Sequence, residues 1–249
     1  MELLNPRPTH DGRRSAERGS SGAIKCSAPK LWFIDLDDTL FEASGGMLHA
    51  IHLKMNDYIS RVLGLSWEAA GELRTRYWRE FGSTFLGLWR LNGIDPRQFL
   101  LATHNFNFAP YVTAEGSPRE DLAALHGRKI VFTNGPRNYA ESVVAALGIG
   151  SEIEDILAST DMRLFGQWRP KPDAGMLVAA CASRGVRPRD AALVDDSPMN
   201  LRAAKRAGLR TVWCTGYRAK HGKLSHRWRD PAADCIISHI RELPQAFAC

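Results

Sequence analysis

Short apolar runs alternate with longer amphipathic segments along most of this chain. The first apolar run, Leu31–Ile34, ends directly in Asp35, and its pattern predicts a buried strand. Further strands are predicted at five later places: Lys129–Phe132, Ile156–Ala158, Ala191–Val194, Thr211–Cys214 and Cys235–Ser238. Strands that alternate with helices at this spacing indicate an α/β fold with a largely parallel sheet.

One long helical region interrupts this alternation between the first and second predicted strands. Its periodicity and its start and stop signals predict four helices, at about Met47–Leu63, Ser66–Phe81, Phe85–Leu91 and Pro96–His104. We therefore expect residues 44–112 to form a helical cap. The cap is inserted into a core that consists of residues 30–43 and 113–249.

The first 29 residues differ in composition from the rest of the chain. They are rich in Arg, Ser, Gly and Pro and show no apolar period, so we expect residues 1–29 to form a disordered tail. Nothing near Met1 combines a basic end with an apolar run, and no stretch approaches the ~20 apolar residues of a membrane span. We expect neither a secretory signal nor a membrane partner.

Charge and cysteine usage further narrow the class of protein to which this chain can belong. The net charge of +6 is concentrated in two short segments, because residues 1–30 carry six basic and three acidic side chains and residues 217–230 carry five and one. A nucleic-acid partner is therefore not favoured, since that class usually shows a broad basic face. The five cysteines are scattered without a C-x-x-C pair, which predicts reduced thiols and a cytoplasmic location. The oligomeric state stays open.

Polar side chains follow three of the predicted strands at their carboxyl ends, where open parallel sheets bind ligands. These groups, together with one isolated Lys-Pro pair, are Asp35 to Thr39, Thr133-Asn134, Lys171-Pro172 and Asp195-Asp196. Phosphoryl transfer needs an in-line nucleophile, an acid for the leaving oxygen, and cations near the phosphoryl oxygens. Two carboxylates one residue apart, such as Asp35 and Asp37, can divide the first two tasks.

The remaining residues of this set suit the electrostatic part of the same reaction. Crowded carboxylates favour a bound Mg²⁺, and Asp195 and Asp196 can complete such a site. Lys171 supplies a fixed positive charge and Thr133 supplies a hydroxyl donor. The sequence therefore predicts a phosphohydrolase that acts on a phosphate monoester.

The order of these motifs resembles the haloacid dehalogenase superfamily of phosphatases over about residues 30–215. The resemblance implies a Rossmann-like parallel sheet core with helices on both faces, an inserted helical cap, and an aspartyl-phosphate intermediate. It implies that Asp35 is the nucleophile and that Asp37 is the general acid and base. Mg²⁺ would be held by the Asp35 side chain, the Asp37 backbone carbonyl and Asp196, with Asp195 in support. The expected substrate contacts are Thr133, Asn134 and Lys171.

Details outside the four motifs are similar to the pyrimidine 5′-nucleotidase branch of that superfamily. They are Phe41 directly after the first motif, the segment Phe81–Leu88 in the cap, and Asn200. Phe81 stands where that branch would have Tyr, and Phe85 where it would have Leu. The cap is also rich in aromatic residues that could hold a planar base. The resemblance implies a small phosphorylated metabolite as substrate, with a nucleoside monophosphate favoured.

Three other functions fit parts of the pattern. A haloacid dehalogenase shares the fold, but its leaving halide needs no proton, so the presence of Asp37 favours phosphate chemistry. A sugar-phosphate phosphatase or phosphomutase shares the core, and only the cap separates it from a nucleotidase. An inactive binding module would usually have lost a charged member of the site, and none is missing here.

Overall fold

The computed structural model describes residues 28–223 and 230–247. The expected tail lies outside these residues except for Ala28 and Pro29, and so does part of the basic segment at 217–230. No described helix is both long enough and apolar enough to pass through a membrane.

The core is built on a six-stranded parallel sheet. Its strands, in chain order, are β1 (Leu31–Ile34), β2 (Arg128–Phe132), β3 (Asp155–Leu157), β6 (Ala191–Asp195), β7 (Arg210–Cys214) and β8 (Cys235–Ile237). Their order across the sheet is β3-β2-β1-β6-β7-β8. All six predicted strands are present, and the parallel α/β fold is confirmed. Because β1 lies at the reversal of strand order, a ligand crevice is expected at its carboxyl end.

Successive side chains of β1 point to opposite faces of the sheet, and both faces are covered. Trp32 and Ile34 pack into one apolar cluster with helix residues such as Tyr139. Leu31 and Phe33 pack into a second cluster on the opposite face. A strand that is buried on both faces has a continuous apolar sequence, as this run does.

Helices of the core follow the strands, and their bounds are α5 (Pro118–Ala123), α6 (Arg137–Ala146), α7 (Ala174–Ala182), α8 (Pro198–Arg206), α9 (Gly216–Lys220) and α10 (Leu243–Ala246). Short 3₁₀ turns lie at Ala43–Gly45, Ala109–Tyr111, Ser159–Asp161, Pro188–Asp190 and Ile240–Glu242. Helix α5 begins after Ser117, whose hydroxyl accepts a hydrogen bond from the Glu120 amide at 3.4 Å.

Residues 44–112 contain the four predicted helices of the insert, which are α1 (Met47–Leu63), α2 (Trp67–Phe81), α3 (Thr84–Asn92) and α4 (Pro96–Thr103). Helix α2 starts after Ser66, whose hydroxyl accepts from the Ala69 amide, and ends at Gly82 in the left-handed conformation. The four helices share one apolar cluster that includes Ile59, Tyr77 and Phe99.

A two-stranded hairpin was not predicted from the sequence. It consists of β4 (Arg163–Leu164) and β5 (Gln167–Trp168), which pair antiparallel. Trp168 packs against Phe85 of the insert with 6.2 Å between ring centroids. The two-residue strands are too short to show a period, so the pattern could not indicate them.

Candidate active site

Three strand ends bring the predicted polar residues together. Asp35 follows β1, Thr133 follows β2, and Asp195 is the last residue of β6. The Asp35 amide donates to the carbonyl oxygen of Val194 on the neighbouring strand at 2.9 Å. Backbone pairing between strands therefore fixes where the Asp35 side chain begins.

Lys171 joins two of these carboxylates although it lies far from both in sequence. Its Nζ donates to Asp35 Oδ1 at 2.5 Å and to Asp195 Oδ2 at 2.9 Å, and only 4% of the Lys171 side chain is exposed. Burial alone would lower the pKa of Lys171, but the two carboxylates outweigh it and raise that pKa above its usual value. Lys171 is therefore a permanently charged ammonium at the centre of the site.

Asn134 holds the backbone of that lysine. Its Nδ2 donates to the Lys171 carbonyl at 2.9 Å, and its Oδ1 accepts from the Lys171 amide at 2.8 Å. The structure thus gives Asn134 a positioning contact within the predicted site. Thr133 is fully buried, and its hydroxyl oxygen accepts from the Gly135 amide at 3.0 Å.

Asp195 accepts hydrogen bonds from other donors besides Lys171. Its Oδ1 accepts from the Ser197 amide at 2.8 Å, and both of its oxygens accept from Asn200 Nδ2, at 2.9 and 3.0 Å. These contacts fix the orientation of the carboxylate. Asp195 in turn fixes the ammonium group that touches Asp35.

The carboxylates fit a hard divalent cation. One oxygen from each of Asp35, Asp195 and Asp196 lies within 4.8 Å of the others. Burial, and then the charges of neighbouring aspartates, raise the pKa of Asp196 to about 7 although Arg218 opposes the rise. Burial likewise raises the pKa of Asp35 against the charge of Lys171. The carboxylate oxygens of this cluster are hard ligands, and a bound cation would relieve the repulsion between their negative charges. The cluster is therefore a donor set that suits Mg²⁺.

Asp37 faces a separate partner on α6. The hydroxyl of the fully buried Tyr139 donates to Asp37 Oδ1. Burial raises the pKa of Asp37 to about 6, while the Tyr139 hydrogen bond acts in the opposite direction. A carboxyl group that titrates near neutral pH can both donate and accept a proton. Gly135 makes room for this ring, since a Cβ there would lie 2.5 Å from Tyr139 Cδ1.

The side chain of the neighbouring Asp38 stabilises a turn of the backbone. It adopts a positive φ of 57°, and its Oδ1 accepts from the Ser44 amide at 2.7 Å. Its Oδ2 accepts from the Ser44 hydroxyl. Asp38 therefore closes the turn that leads from the core into the insert.

A cavity of about 510 Å³ connects the strand ends with the insert. We call its strand-end side the floor, which is formed by Asp35, Asp37, Thr133, Lys171 and Asp196. We call its insert side the roof, which is formed by His52, Arg74, Ser83, Phe85 and Phe99. The insert approaches the floor closely at Gly82, where a Cβ would lie 2.3 Å from Pro172 Cδ.

Both the sequence and the fold of this chain resemble those of known proteins. The sequence matches the haloacid dehalogenase-like hydrolase family over residues 29–208, which includes every floor residue. The chain belongs to the haloacid dehalogenase-like hydrolases. A crystal structure of a HAD phosphatase from Thermococcus onnurineus has the same fold, with a TM-score of 0.58, 18% identity, and coverage of 90% of this chain and 98% of that one.

Two curated relatives of this hydrolase are phosphatases by name. The validoxylamine A 7′-phosphate phosphatase of Streptomyces hygroscopicus subsp. limoneus is 35% identical over 113 residues, which cover 44% of this chain and 49% of that protein. The phosphoglycolate phosphatase of Rhodospirillum rubrum is 29% identical over 202 residues, which cover 74% and 78%. The chain thus spans only about half the length of the first relative.

Some residues of the hydrolase's site were not assigned from the sequence. Tyr139 lies in the middle of an ordinary amphipathic helix, and no local pattern marks its contact with Asp37. Asn200 was singled out only as a mark of a subfamily, but it holds Asp195. Arg218, whose Nη1 donates to Asp196 Oδ2 at 3.1 Å, belongs to the basic segment at 217–230, where no site residue was predicted. The contacts of Tyr139 and Arg218 depend on packing between segments that are distant in sequence, whereas Asn200 lies five residues after Asp195.

Proposed function

We propose that this hydrolase is a Mg²⁺-dependent phosphatase that cleaves a small phosphate monoester through an aspartyl-phosphate on Asp35. The observation that carries the proposal is the buried Lys171 ammonium between Asp35 and Asp195, beside the carboxylate of Asp196. This arrangement concentrates positive charge next to a strand-end carboxylate. A phosphoryl group placed there would meet a nucleophile and a fixed cation together.

In the first half-reaction, an Asp35 oxygen attacks phosphorus and the bond from phosphorus to the ester oxygen breaks. Asp37 gives its proton to that leaving oxygen, so an alcohol is released. In the second half-reaction, Asp37 takes a proton from water, the water oxygen attacks phosphorus, and the Asp35 carboxylate is released with inorganic phosphate. The pKa of about 6 for Asp37 supports both of these proton transfers.

The remaining floor residues orient these groups. Lys171 engages Oδ1 of Asp35, and this contact leaves the second oxygen to face phosphorus. The Asp35 side chain, the Asp37 backbone carbonyl and Asp196 would hold Mg²⁺, with Asp195 in support, and the ion would supply positive charge for the phosphoryl oxygens. Thr133 lines the cavity from the end of β2 as a phosphate contact, and Asn134 keeps the Lys171 backbone in place.

For the substrate, we propose a pyrimidine nucleoside 5′-monophosphate, with residues 44–112 acting as the cap that selects it. Apolar side chains of the insert line the cavity opposite the floor, among them Phe85, Phe99 and Met55, and could pack against a planar base. The segment Phe81–Leu88, through which the chain resembles the nucleotidases, includes the loop that touches Pro172. The scattered thiols support a cytoplasmic location.

A sugar-phosphate phosphatase is the second candidate. The cavity is also lined by polar side chains of the insert, including His52, Thr75 and Ser83, which could bind hydroxyl groups. The phosphorylated compound in the name of the Streptomyces relative also favours this candidate.

One assay separates these candidates. We expect purified protein with Mg²⁺ to hydrolyse UMP and CMP with a kcat/KM about 10–200-fold above AMP, GMP and glucose 6-phosphate, because a base-sized contact is worth this much. EDTA should stop turnover and added Mg²⁺ should restore it. Asp35→Asn should abolish turnover, whereas the matched control Asp57→Asn changes an exposed aspartate of α1 and should keep full activity.

Each part of the proposal has its own contradicting result. A higher kcat/KM for the sugar phosphate would overturn the nucleotidase assignment and leave the phosphatase standing. Full activity after exhaustive chelation would overturn the dependence on Mg²⁺. No release of phosphate from any ester of the panel would overturn the phosphatase itself.

A further inference from the structure

Arg74 is a basic side chain of the roof that forms no ion pair with any acidic side chain in the described part of the chain. Among the basic side chains of the cavity, Lys171 and Arg218 both form ion pairs with aspartates of the site. The Arg74 Nε instead donates to the neutral Asn56 Oδ1 at 3.0 Å, and no described carboxylate pairs with the guanidinium. A half-buried positive charge thus faces the cavity without compensation.

Neighbouring groups hold Arg74 in a defined place. Asn56 fits beside Gly71, where an added Cβ would lie 3.1 Å from Asn56 Nδ2. The Thr84 hydroxyl at the start of α3 donates to the Arg74 carbonyl at 3.1 Å and ties α3 to α2 at this position. The guanidinium is therefore oriented before any ligand arrives, which reduces the entropy that binding would cost.

Ser83 provides a second polar group in the roof. Ser83 is 5% exposed and lines the same cavity, and its hydroxyl has no hydrogen-bond partner among residues 28–223 and 230–247. A buried hydroxyl without a partner is costly, so native structures rarely retain one without a reason. A ligand oxygen in the cavity would accept the hydrogen bond that Ser83 lacks.

The third polar group of the roof carries no charge at neutral pH. Burial, and then the positive charges of Arg74 and Lys223, lower the pKa of His52 to about 4. Lys223 lies exposed at the rim, where its Nζ donates to the Ser44 hydroxyl at 2.5 Å. The roof therefore presents positive charge and neutral donors, whereas the acidic side chains of the cavity lie at the floor.

We propose that Arg74 and Ser83 form a subsite for a second acidic group, a carboxylate or a phosphate, on the part of the substrate that leaves. The proposal rests on the phosphatase function and not on the nucleotidase assignment, because UMP and CMP carry a single acidic group. The subsite would favour phosphate esters that carry two acidic groups over the nucleoside monophosphates. The guanidinium would bind the anion through its Nη groups, and Ser83 would donate a further hydrogen bond.

Matched pairs of esters test this subsite. 3-Phosphoglycerate and glycerol 3-phosphate differ in a carboxylate, and fructose 1,6-bisphosphate and fructose 6-phosphate differ in a phosphate. In at least one pair we expect the additional acidic group to raise kcat/KM about 10–100-fold, because a charge-assisted hydrogen bond contributes this much. The pair that shows the preference identifies the acid.

Variants assign the preference to the roof. Arg74→Gln should reduce the ratio within the preferred pair to about 2 or less, and Ser83→Ala should reduce it about 2–10-fold, as for one neutral hydrogen bond. Arg79→Gln is the matched control. It removes the same charge from an exposed position of α2 that does not line this cavity, and it should keep the wild-type ratio.

The outcomes separate this proposal from the phosphatase function. If the wild type hydrolyses both members of each pair equally, or if Arg74→Gln keeps the preference, the subsite is overturned and the phosphatase stands. If no ester is hydrolysed, the phosphatase fails, and titration calorimetry of the same pairs still tests the subsite. Tighter binding of the diacidic member to the wild type than to Arg74→Gln supports it, and equal binding overturns it.

Discussion

The floor and the roof of the cavity differ in how their polar groups are satisfied. On the floor, Asp35 and Asp196 each bind a basic side chain, and Asp37 binds a tyrosine hydroxyl. In the roof, no residue that the structure describes gives the Arg74 guanidinium an acidic partner or the Ser83 hydroxyl a hydrogen bond. Each of these floor carboxylates thus has a protein partner, while the roof has two polar groups that a ligand could satisfy.

This difference separates two functions of the cavity. Groups that hold one another in place are preorganised for a reaction whose charge distribution is always the same, such as transfer of a phosphoryl group. Groups that stay unsatisfied gain most when a complementary substrate arrives, so they suit discrimination between substrates. We therefore expect changes on the floor to affect every substrate, and changes in the roof to affect the choice among them.

Removal of the Lys171 ammonium group from the floor should have the largest effect on the free energy of unfolding. Lys171→Met leaves Asp35 and Asp195 buried without their partner, and loss of one member of a buried ion pair costs about 3–5 kcal/mol of unfolding free energy. Urea unfolding without added metal measures it. Lys205→Met is the control, because it breaks an exposed pair with Asp234 and should cost about 1 kcal/mol or less. Equal losses in the two variants would contradict the central place of Lys171.

Much of the floor could be predicted because strand ends are visible in a sequence. An apolar run that stops at Asp35, Thr133 or Asp195 shows both the strand and the residue at its carboxyl end, and parallel pairing then brings these residues together. Lys171 has no such strand of its own. Only its order among the other motifs identified it, and the reciprocal hydrogen bonds with Asn134 explain how a loop residue is held there.

The roof was predicted only as helices. Periodicity shows which residues of α2 can face a neighbouring helix, but it does not show which cavity Arg74 faces or that Asn56 holds it. Ser83 was noted as part of a motif, yet the absence of a partner for its hydroxyl is a property of the packed structure. Tertiary contacts of this kind leave no local pattern.

A fall in pH should have the next largest effect on stability, through His104, a buried histidine that lines the cavity. Burial lowers the pKa of His104 to about 4, from 6.5 in the unfolded chain. Below pH 6.5 the unfolded state binds more protons at His104, so this residue should lower the unfolding free energy by up to about 3 kcal/mol between pH 6.5 and pH 4. His104→Gln should flatten that part of the curve. An unchanged slope in the variant would show that other groups cause the pH dependence.

Tyr139→Phe should have a smaller effect on the reaction. Loss of the hydrogen bond to Asp37 should reduce kcat/KM about 10-fold for an alkyl phosphate, the size expected for a hydrogen bond to a charged group. The loss should be smaller for p-nitrophenyl phosphate, whose leaving group needs less help from a proton donor. Tyr217→Phe, which removes a hydroxyl that accepts from the Glu115 amide, is the control. Equal losses on both substrates would indicate that Tyr139 has only a structural role.

The most direct test of the account is to find the covalent intermediate. The enzyme would be mixed with an ester that carries a radiolabelled phosphoryl group, quenched in acid during a single turnover, and digested for peptide mapping. The account predicts a phosphoryl group on Asp35, and no label in the Asp35→Asn variant. A label on another residue would contradict it, and so would complete hydrolysis with no labelled peptide at any time before phosphate release.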